Sequence, residues 1–445
     1  MLSSSIPRRP RAGAVVAIVL AGLSAACGSR TGEATDPSTS FTLAVIPDTQ
    51  NYLDYRHQSA EGFAIDGSEL FIAQMKDIAA REDVAFVAAV GDVWQHPTRD
   101  IDPEHESRGI GRIPNPIFAA EISPTEKTRT VEMPRAVEGY RVLHEAGIPF
   151  GVAPGNHDYD AMWSVASFPP ALGRNLVASD IAITPENLGM LHIGGLDNFR
   201  SVFGSSGEFF KDKPWYVSSY RGGANAAQVF EAGGYRFLHI ALEMAADDLA
   251  LSWAADVIEA HPGHPTIVTT HDYLNTRGER RAVPIVDLKR VDPDHHNTAE
   301  EVWEKLVSAH DQVFLVLCGH HHGQSRRVDD NRRGHKVYQI LADYQGRGQA
   351  GLDAGQPLDP RRGIPRGLGD GWYRLMRFEM GGETPTVLVQ TWSSHYRSYS
   401  GQLPAYARWY KAYEQPAATD AEFFAMDEFT LELDDFRARF GEPMP

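Results

Sequence analysis

From Phe41 onward the chain alternates short, almost wholly apolar runs with stretches of helical spacing. Residues 41–47, 84–90 and 148–152 are runs of the kind expected of strands covered on both faces. Between them, residues 69–81 place Leu70, Phe71, Met75, Ile78 and Ala79 near a helical period, and 136–146 reads as a second helix closed by Gly147. Strands continue at 235–242, 266–270 and 313–317, with helices predicted over 246–260 and 298–310. This order predicts an α/β fold. The later runs 336–342, 373–380, 386–390 and 428–433 follow one another with little helix between them, which predicts an antiparallel second sheet. Residues 95–135 and 164–234 break the alternation, and loops of that length are commonly functional. The second carries Phe199, Phe203, Phe209, Phe210, Trp215, Tyr216 and Tyr220. Most of these predict a satellite core under the loop; Trp215 and Tyr220 are the pair most expected to face a pocket.

Each strand of the first part runs out into polar residues. Asp48-Thr49-Gln50 follows 41–47, Gly91-Asp92 follows 84–90, Gly155-Asn156-His157-Asp158 follows 148–152, His271 follows 266–270 and Gly319-His320-His321-His322 follows 313–317. Ligands of α/β sheets bind beyond the carboxyl ends of strands. A single Gly-Asp after a strand is commonly just a turn, but five such clusters form a strong pattern. Asp48, Gln50, Asp92, Asn156, His271, His320 and His322 offer oxygen and imidazole ligands with no thiolate, a set that suits two divalent metals. Paired divalent metals are a tool for hydrolysing phosphate esters.

These motifs resemble those of the calcineurin-like metallophosphoesterase superfamily, which run Asp-x-His, Gly-Asp, Gly-Asn-His-Asp/Glu, His and Gly-His-x-His. The resemblance spans roughly residues 41–433. It is nearest to the secreted or lipid-anchored bacterial members, through Asp48-Thr49-Gln50, Trp215-Tyr216, Leu341-Ala342-Asp343-Tyr344-Gln345 and Gly369-Asp370-Gly371-Trp372. It implies a four-layer α/β/β/α sandwich of two mixed sheets over residues 41–400, with metals at one rim and residues 401–445 packed on it as an extension. It further implies that Asp48, Gln50 and His322 bind one metal and Asn156, His271 and His320 a second, with Asp92 bridging. His157 would protonate the leaving oxygen or position the phosphoryl group. Two departures matter. Gln50 stands where the family usually has histidine, and a carboxamide oxygen is a harder, weaker ligand that favours Mn²⁺, Fe²⁺ or Mg²⁺ over Zn²⁺. Gln95 stands where purple acid phosphatases carry a ligating tyrosine, and Gln95-His96 where serine/threonine protein phosphatases carry Asp-Arg. Gln95 and His96 are either substrate or supporting contacts, or a capped loop start. Arg277 and its neighbours Arg280 and Arg281 either hold a distal anion or form a solvated run.

Charge and the N-terminus narrow the setting. Arg8, Arg9 and Arg11 precede an apolar small-residue stretch, 12–26, too short to span a bilayer. It ends in Leu23-Ser24-Ala25-Ala26-Cys27, which looks like a lipoprotein cleavage site with Cys27 as the lipidated residue; a secretory signal cut near Ala26 is the other reading. Residues 1–26 are thus expected to be a signal peptide and 27–40 a tether, giving an exported protein held in the cell envelope, or secreted if Cys27 is not lipidated. Removing three arginines takes Lys+Arg from 42 to 39 against 59 Asp+Glu, so the net charge moves from −17 to −20. That balance argues against a nucleic-acid-binding surface. The only other cysteine, Cys318, follows an apolar run and is expected in the core. The sequence therefore predicts an exported hydrolase of phosphate mono- or diesters using two divalent metals (Mn, Fe, Zn or Mg). The alternative is a non-catalytic surface binding protein that keeps the fold and a structural metal.

Overall fold

The computed structural model describes residues 39–98, 107, 124–164, 191–281, 286–360 and 362–444. The predicted signal peptide, Cys27 and nearly all of the tether lie outside these residues. All described residues fall in one unit, Thr35–Pro445.

The fold is mixed α/β, built on two large mixed sheets. In chain order the strands are β1 (Ser40–Ile46), β2 (Val84–Ala89), β3 (Phe150–Val152), β4 (Ala161–Ser164), β5 (Leu191–Gly194), β6 (Tyr216–Tyr220), β7 (Asn225–Ala232) and β8 (Tyr235–Ala241). They continue as β9 (Thr266–Thr269), β10 (Val313–Cys318), β11 (Gly323–Asp330), β12 (Lys336–Asp343), β13 (Trp372–Glu379), β14 (Thr386–Ser393), β15 (Ser398–Tyr399) and β16 (Phe429–Glu432). The first sheet runs β15-β14-β13-β1-β2-β3, with β16 on β14, and the second runs β11-β12-β10-β9-β8-β7-β6. Each has a parallel centre, β1-β2-β3 in one and β8-β9-β10-β12 in the other. Antiparallel strands flank both centres.

The late strands therefore do not build a sheet of their own, as their spacing had predicted. β12 lies parallel to β10 in the second sheet, while β13 pairs antiparallel with β1, Ser40 opposite Glu379. Loop lengths cannot reveal that choice; burial on both faces of β1 decides it. Leu43 and Val45 enter one core with Phe86, Phe237, Leu315 and Phe378, drawn from both sheets. Ala44 and Ile46 enter another with Phe71, Met75 and Tyr140. Alternate side chains point to opposite faces of a strand, so a strand covered on both sides is apolar throughout. In the core shared by the sheets, Phe41 stacks on Phe378 at 4.6 Å and Phe86 on Phe230 at 4.6 Å.

Helix α1 (Gly67–Ala79) is capped by Asp66, and α2 (Met133–Glu145) starts with Pro134 in its first turn. Their apolar faces supply Phe71, Met75 and Tyr140 to the core on the outer face of β1 and β2. Helix α3 (Asp248–Ala260), capped by Asp247, and the turn Trp303–Val307 cover the second sheet through Leu251, Val257, Trp303 and Leu306. Cys318 is buried in that same core. Among the described residues, no helix is long and apolar enough to cross a membrane.

Two polar groups inside this scaffold have energetic consequences. His239 is fully buried, its Nδ1 2.7 Å from Gln228 Oε1 and its Nε2 2.8 Å from Thr269 Oγ1. Burial pulls its pKa down to about 3. The unfolded chain takes this proton near the usual histidine value, whereas the folded chain refuses it until far lower pH. The unfolded state thus binds more protons in between, and stability falls as pH drops through that window. His239 alone contributes a slope of about 1.4 kcal/mol per pH unit. Urea titrations over roughly pH 4 to 6.5 should show this slope, and His239→Gln should flatten it; a variant with an unchanged slope removes His239 from the account.

The second group is Arg347, fully buried with both of its Glu414 contacts, Nε–Oε1 at 2.8 Å and Nη2–Oε2 at 2.9 Å. It also donates to Gln324 Oε1 at 2.8 Å and to the Tyr406 hydroxyl. The guanidinium lies over the rings of Tyr344, Tyr406 and Tyr410 at 4.0, 4.9 and 4.6 Å. Through Tyr406, Tyr410 and Glu414 it ties helix α4 (Tyr406–Glu414), near the C-terminus, to the chain just after β12.

Candidate functional site

The carboxyl ends of β1, β2, β3, β9 and β10 bring five of the predicted clusters together. Asp48, Gln50, Asp92, Asn156 and His271 are each at most 4% exposed. Glycines make the approach close enough. A Cβ on Gly155 would stand 2.2 Å from Asp92 Oδ1, and one on Gly319 2.1 Å from Asp48 Oδ1, so only glycine fits at either motif position. Asp92 and His320 themselves have left-handed backbones, φ 51° and 71°, which cost of order 1–3 kcal/mol each and cluster at functional sites.

Asp92 is the hub. It accepts from the His157 backbone N–H at 2.8 Å and from Gln50 Nε2 at 3.1 Å, and its Oδ2 lies 3.2 Å from His271 Nε2. His271 Nε2 is also 3.9 Å from Asp48 Oδ2 and 3.2 Å from His320 Nδ1, while its Nδ1–H donates to the Val90 carbonyl at 2.9 Å. Asp48 Oδ2 accepts from the His320 N–H at 3.0 Å. Ligand-type atoms of Asp92, His271 and His320 lie within 4.8 Å of one another. His157 Nδ1 donates to the Gln95 carbonyl at 2.7 Å, which leaves its Nε2 on the site side, 4.0 Å from Asp92 Oδ2. Asp158 ties two of the clusters together, accepting from Val93 N at 2.7 Å and Gly155 N at 2.8 Å.

The electrostatics are unusual. Burial, with Asp343 next in size, raises Asp48 well above the ordinary carboxylate range. Burial also acts to raise Asp92, but His271 and His157 outweigh it and hold that carboxyl low. Burial opposes protonation of His271, yet Asp92 and Asp48 lift its pKa to about 10. His320 is pulled down to about 3 by burial, and Asp158 is pushed up to about 7 by burial and then by Asp92. Among the described residues, no lysine or arginine pairs with Asp48, Asp92, Asp158 or Asp343. Gln50 Oε1, Asn156 Oδ1 and His320 Nε2 are buried with no hydrogen-bond partner. Each such atom costs about 1–3 kcal/mol. Divalent cations would answer both the stranded lone pairs and the crowded carboxylates, so the donor set fits the predicted metals.

Other predicted residues take no part in the hydrogen bonds to Asp48 and Asp92. His322 is exposed, with its Nδ1 facing Gly346, where a Cβ would sit 2.9 Å away. His321 turns to Asp272 Oδ1 at 3.0 Å. Gln95 serves through its backbone carbonyl. His96 is buried, with Nδ1 2.6 Å from Glu132 Oε1, and belongs to a second acid–imidazole group with Asp54 and Glu132. Trp215 packs on Phe150 and Phe210 at 6.1 and 5.9 Å, and Tyr220 on Trp253 at 6.3 Å. Arg277 is 70% exposed and bonds Glu279. None of these last three reaches the carboxylate–imidazole cluster: aromatic packing holds two of them, and a local ion pair the third.

Asp343 and Gln345, quoted above only among the motifs of the resemblance and given no role there, also belong to the site. Gln345 Nε2 donates to Asp48 Oδ2 at 3.2 Å and to Asp343 Oδ2 at 3.1 Å, and Gln345 Oε1 accepts from Gln50 Nε2. The signal was the same as elsewhere, polar residues directly after an apolar strand. It was hidden because 336–342 reads as part of a separate sheet, whereas β12 is the neighbour of β10.

No family model matches the sequence. The uncharacterized protein YvnB of Bacillus subtilis (strain 168) is 25% identical to this chain over 260 residues, which is 57% of this chain and 15% of YvnB. The chain thus matches only a small part of that relative's length. Among solved structures, GAP50, the anchor in the inner membrane complex of Plasmodium, aligns with 81% of this chain and 86% of its own at 10% identity, with a TM-score of 0.37.

Proposed function

We propose that this chain is an exported, metal-dependent hydrolase of phosphate mono- or diesters. The observation that carries the reading is the set of buried atoms, Gln50 Oε1, Asn156 Oδ1 and His320 Nε2, that find no partner among the described residues, beside carboxylates that pair there with no lysine or arginine. In this reading the two sheets and their covering helices form a four-layer α/β/β/α sandwich. Asp48, Gln50 and His322 would hold one divalent ion (Mn, Fe, Zn or Mg) and Asn156, His271 and His320 the other, with Asp92 shared by the two. Bound there, the ions supply Lewis acidity toward a phosphoryl group. The expected leader, residues 1–26, followed by Cys27 as the lipidated residue, supports a lipid-anchored enzyme that meets its ester outside the cytoplasm.

The side chains divide the remaining work. The Gln95 carbonyl holds the proton of neutral His157 on Nδ1, so its Nε2 is the nitrogen free to take up a proton from solvent and deliver it on the site side. At 16% exposure the His157 ring is reachable from solvent, and it protonates the departing alkoxide. The Val90 carbonyl fixes the tautomer of His271 in the same way. Asp158, by binding Gly155 and Val93, holds the loop that carries His157 against the loop that carries Asp92.

The test is a pair of measurements on residues 28–445 loaded with Mn²⁺, with metal content confirmed. The protein should hydrolyse p-nitrophenyl phosphate or its bis ester. His157→Ala should retain its metal while losing roughly 10²- to 10⁴-fold in kcat. Loaded protein that turns over neither ester sinks the proposal.

A further inference from the structure

We propose that Gln345 is a positioning residue that decides which atom of the Gln50 carboxamide faces the cation, an assignment that rests on the metal-dependent reading above. A carboxamide presents two chemically opposite ends, an acceptor oxygen and a donor NH₂, and only the oxygen binds a metal. An imidazole can move its proton between its two nitrogens, so either of them can supply the lone pair. A glutamine at position 50 therefore needs something to hold its oxygen inward.

The hydrogen bonds supply that device from carboxylates inward. Asp343 and Asp48 are acceptors when ionised, and Gln345 reaches both with the same nitrogen, at 3.1 and 3.2 Å. With its NH₂ spent on two carboxylates, Gln345 must turn its Oε1 the other way, and there it accepts from Gln50 Nε2. The same Gln50 nitrogen donates to Asp92 Oδ2 at 3.1 Å. Both Gln50 amide hydrogens are thereby used, and Oε1 is left buried with no partner. Reversing the Gln50 amide would set its oxygen against Asp92 and against Gln345 Oε1, two acceptors. Gln345 is itself held by its own N–H on Asp343 Oδ1 at 2.9 Å, and its carbonyl accepts from Asn51 Nδ2 at 3.0 Å. Neither bond depends on Gln50, so the device is preorganised.

The test reads metal binding rather than turnover. Calorimetric titration with Mn²⁺ and metal content after gel filtration should give two ions per wild-type chain. Gln345→Leu should weaken one of the two sites roughly 10- to 100-fold, the usual effect of losing a group that orients a ligand, and leave the other unchanged. Gln50→His in the Gln345→Leu background should restore the weakened site, because an imidazole needs no amide to orient it. If Gln345→Leu fails to fold, Gln345→Ser is measured the same way. Two ions bound by the variant with affinities within about twofold of wild type overturn the Gln345 assignment and leave the metal reading standing. Failure of the double variant to recover also overturns the assignment, since loss of packing would then explain the effect. A wild-type chain that binds no Mn²⁺ overturns both.

Discussion

Asp92→Asn should abolish most of the proposed esterase activity, lowering kcat/KM by about a thousand-fold or more, and should leave at most one metal ion on the protein. The carboxylate is the acceptor for the His157 N–H and for Gln50 Nε2 and faces His271 Nε2. Asparagine keeps the shape but removes the charge, and it must aim an NH₂ either at Gln50 Nε2 and His271 or at the His157 N–H. If bridging two cations is worth several kcal/mol, a loss of about 4 kcal/mol corresponds to a factor near 10³. The substitution is clean on the backbone, because asparagine tolerates the left-handed conformation that Asp92 adopts at φ 51°. Folding should therefore survive, as a native-like melting profile would show. A variant with full rate and two ions would remove Asp92 from the chemistry.

Arg347→Ala should be the most destabilising single change outside the site, by about 3–5 kcal/mol, the typical result of stripping one partner from a buried ion pair. The arginine is fully buried, its pairing with Glu414 is bidentate, and three tyrosine rings close around it. Removing it strands Glu414 without a cation and leaves a cavity among those rings. Urea unfolding followed by circular dichroism measures the loss. Arg347→Met/Glu414→Leu should recover most of it, because the cost lies in the orphaned charge rather than in the absence of the pair. A double variant as unstable as the single one would show that packing of the rings, not charge, holds helix α4 in place.

The strands β1, β2, β9 and β10 were legible because a strand buried on both faces is a continuous apolar run, and the polar residues just beyond each run marked the rim where ligand-type side chains gather. Asp48, Gln50, Asp92, Asn156 and His271 were named from that rule alone. The hairpin β7–β8 was not predicted, because Asn225–Ala232 is rich in small residues and lacks strand-like bulk. Its turn was nonetheless written in the chain: Gly233 and Gly234 both have positive φ, 56° and 78°, as a tight two-residue turn requires. Trp215 and Tyr220 were unreadable for a different reason. An aromatic in a long loop looks the same whether it lines a pocket or fills a crevice, and only the positions of Phe150, Phe210 and Trp253 decide between them.

The edge of β1 that faces β13 carries a timing problem. Ser40 and Phe41 emerge early in synthesis, yet their partners Glu379 and Phe378 belong to the last quarter of the chain. Until those arrive, a sticky, backbone-unsatisfied ribbon stays open to any passing strand. Pairings so distant in sequence also close slowly. A nascent polypeptide of this topology spends its youth exposed to aggregation, and fragments truncated before Trp372 should be insoluble even though they contain every residue proposed here to touch a metal.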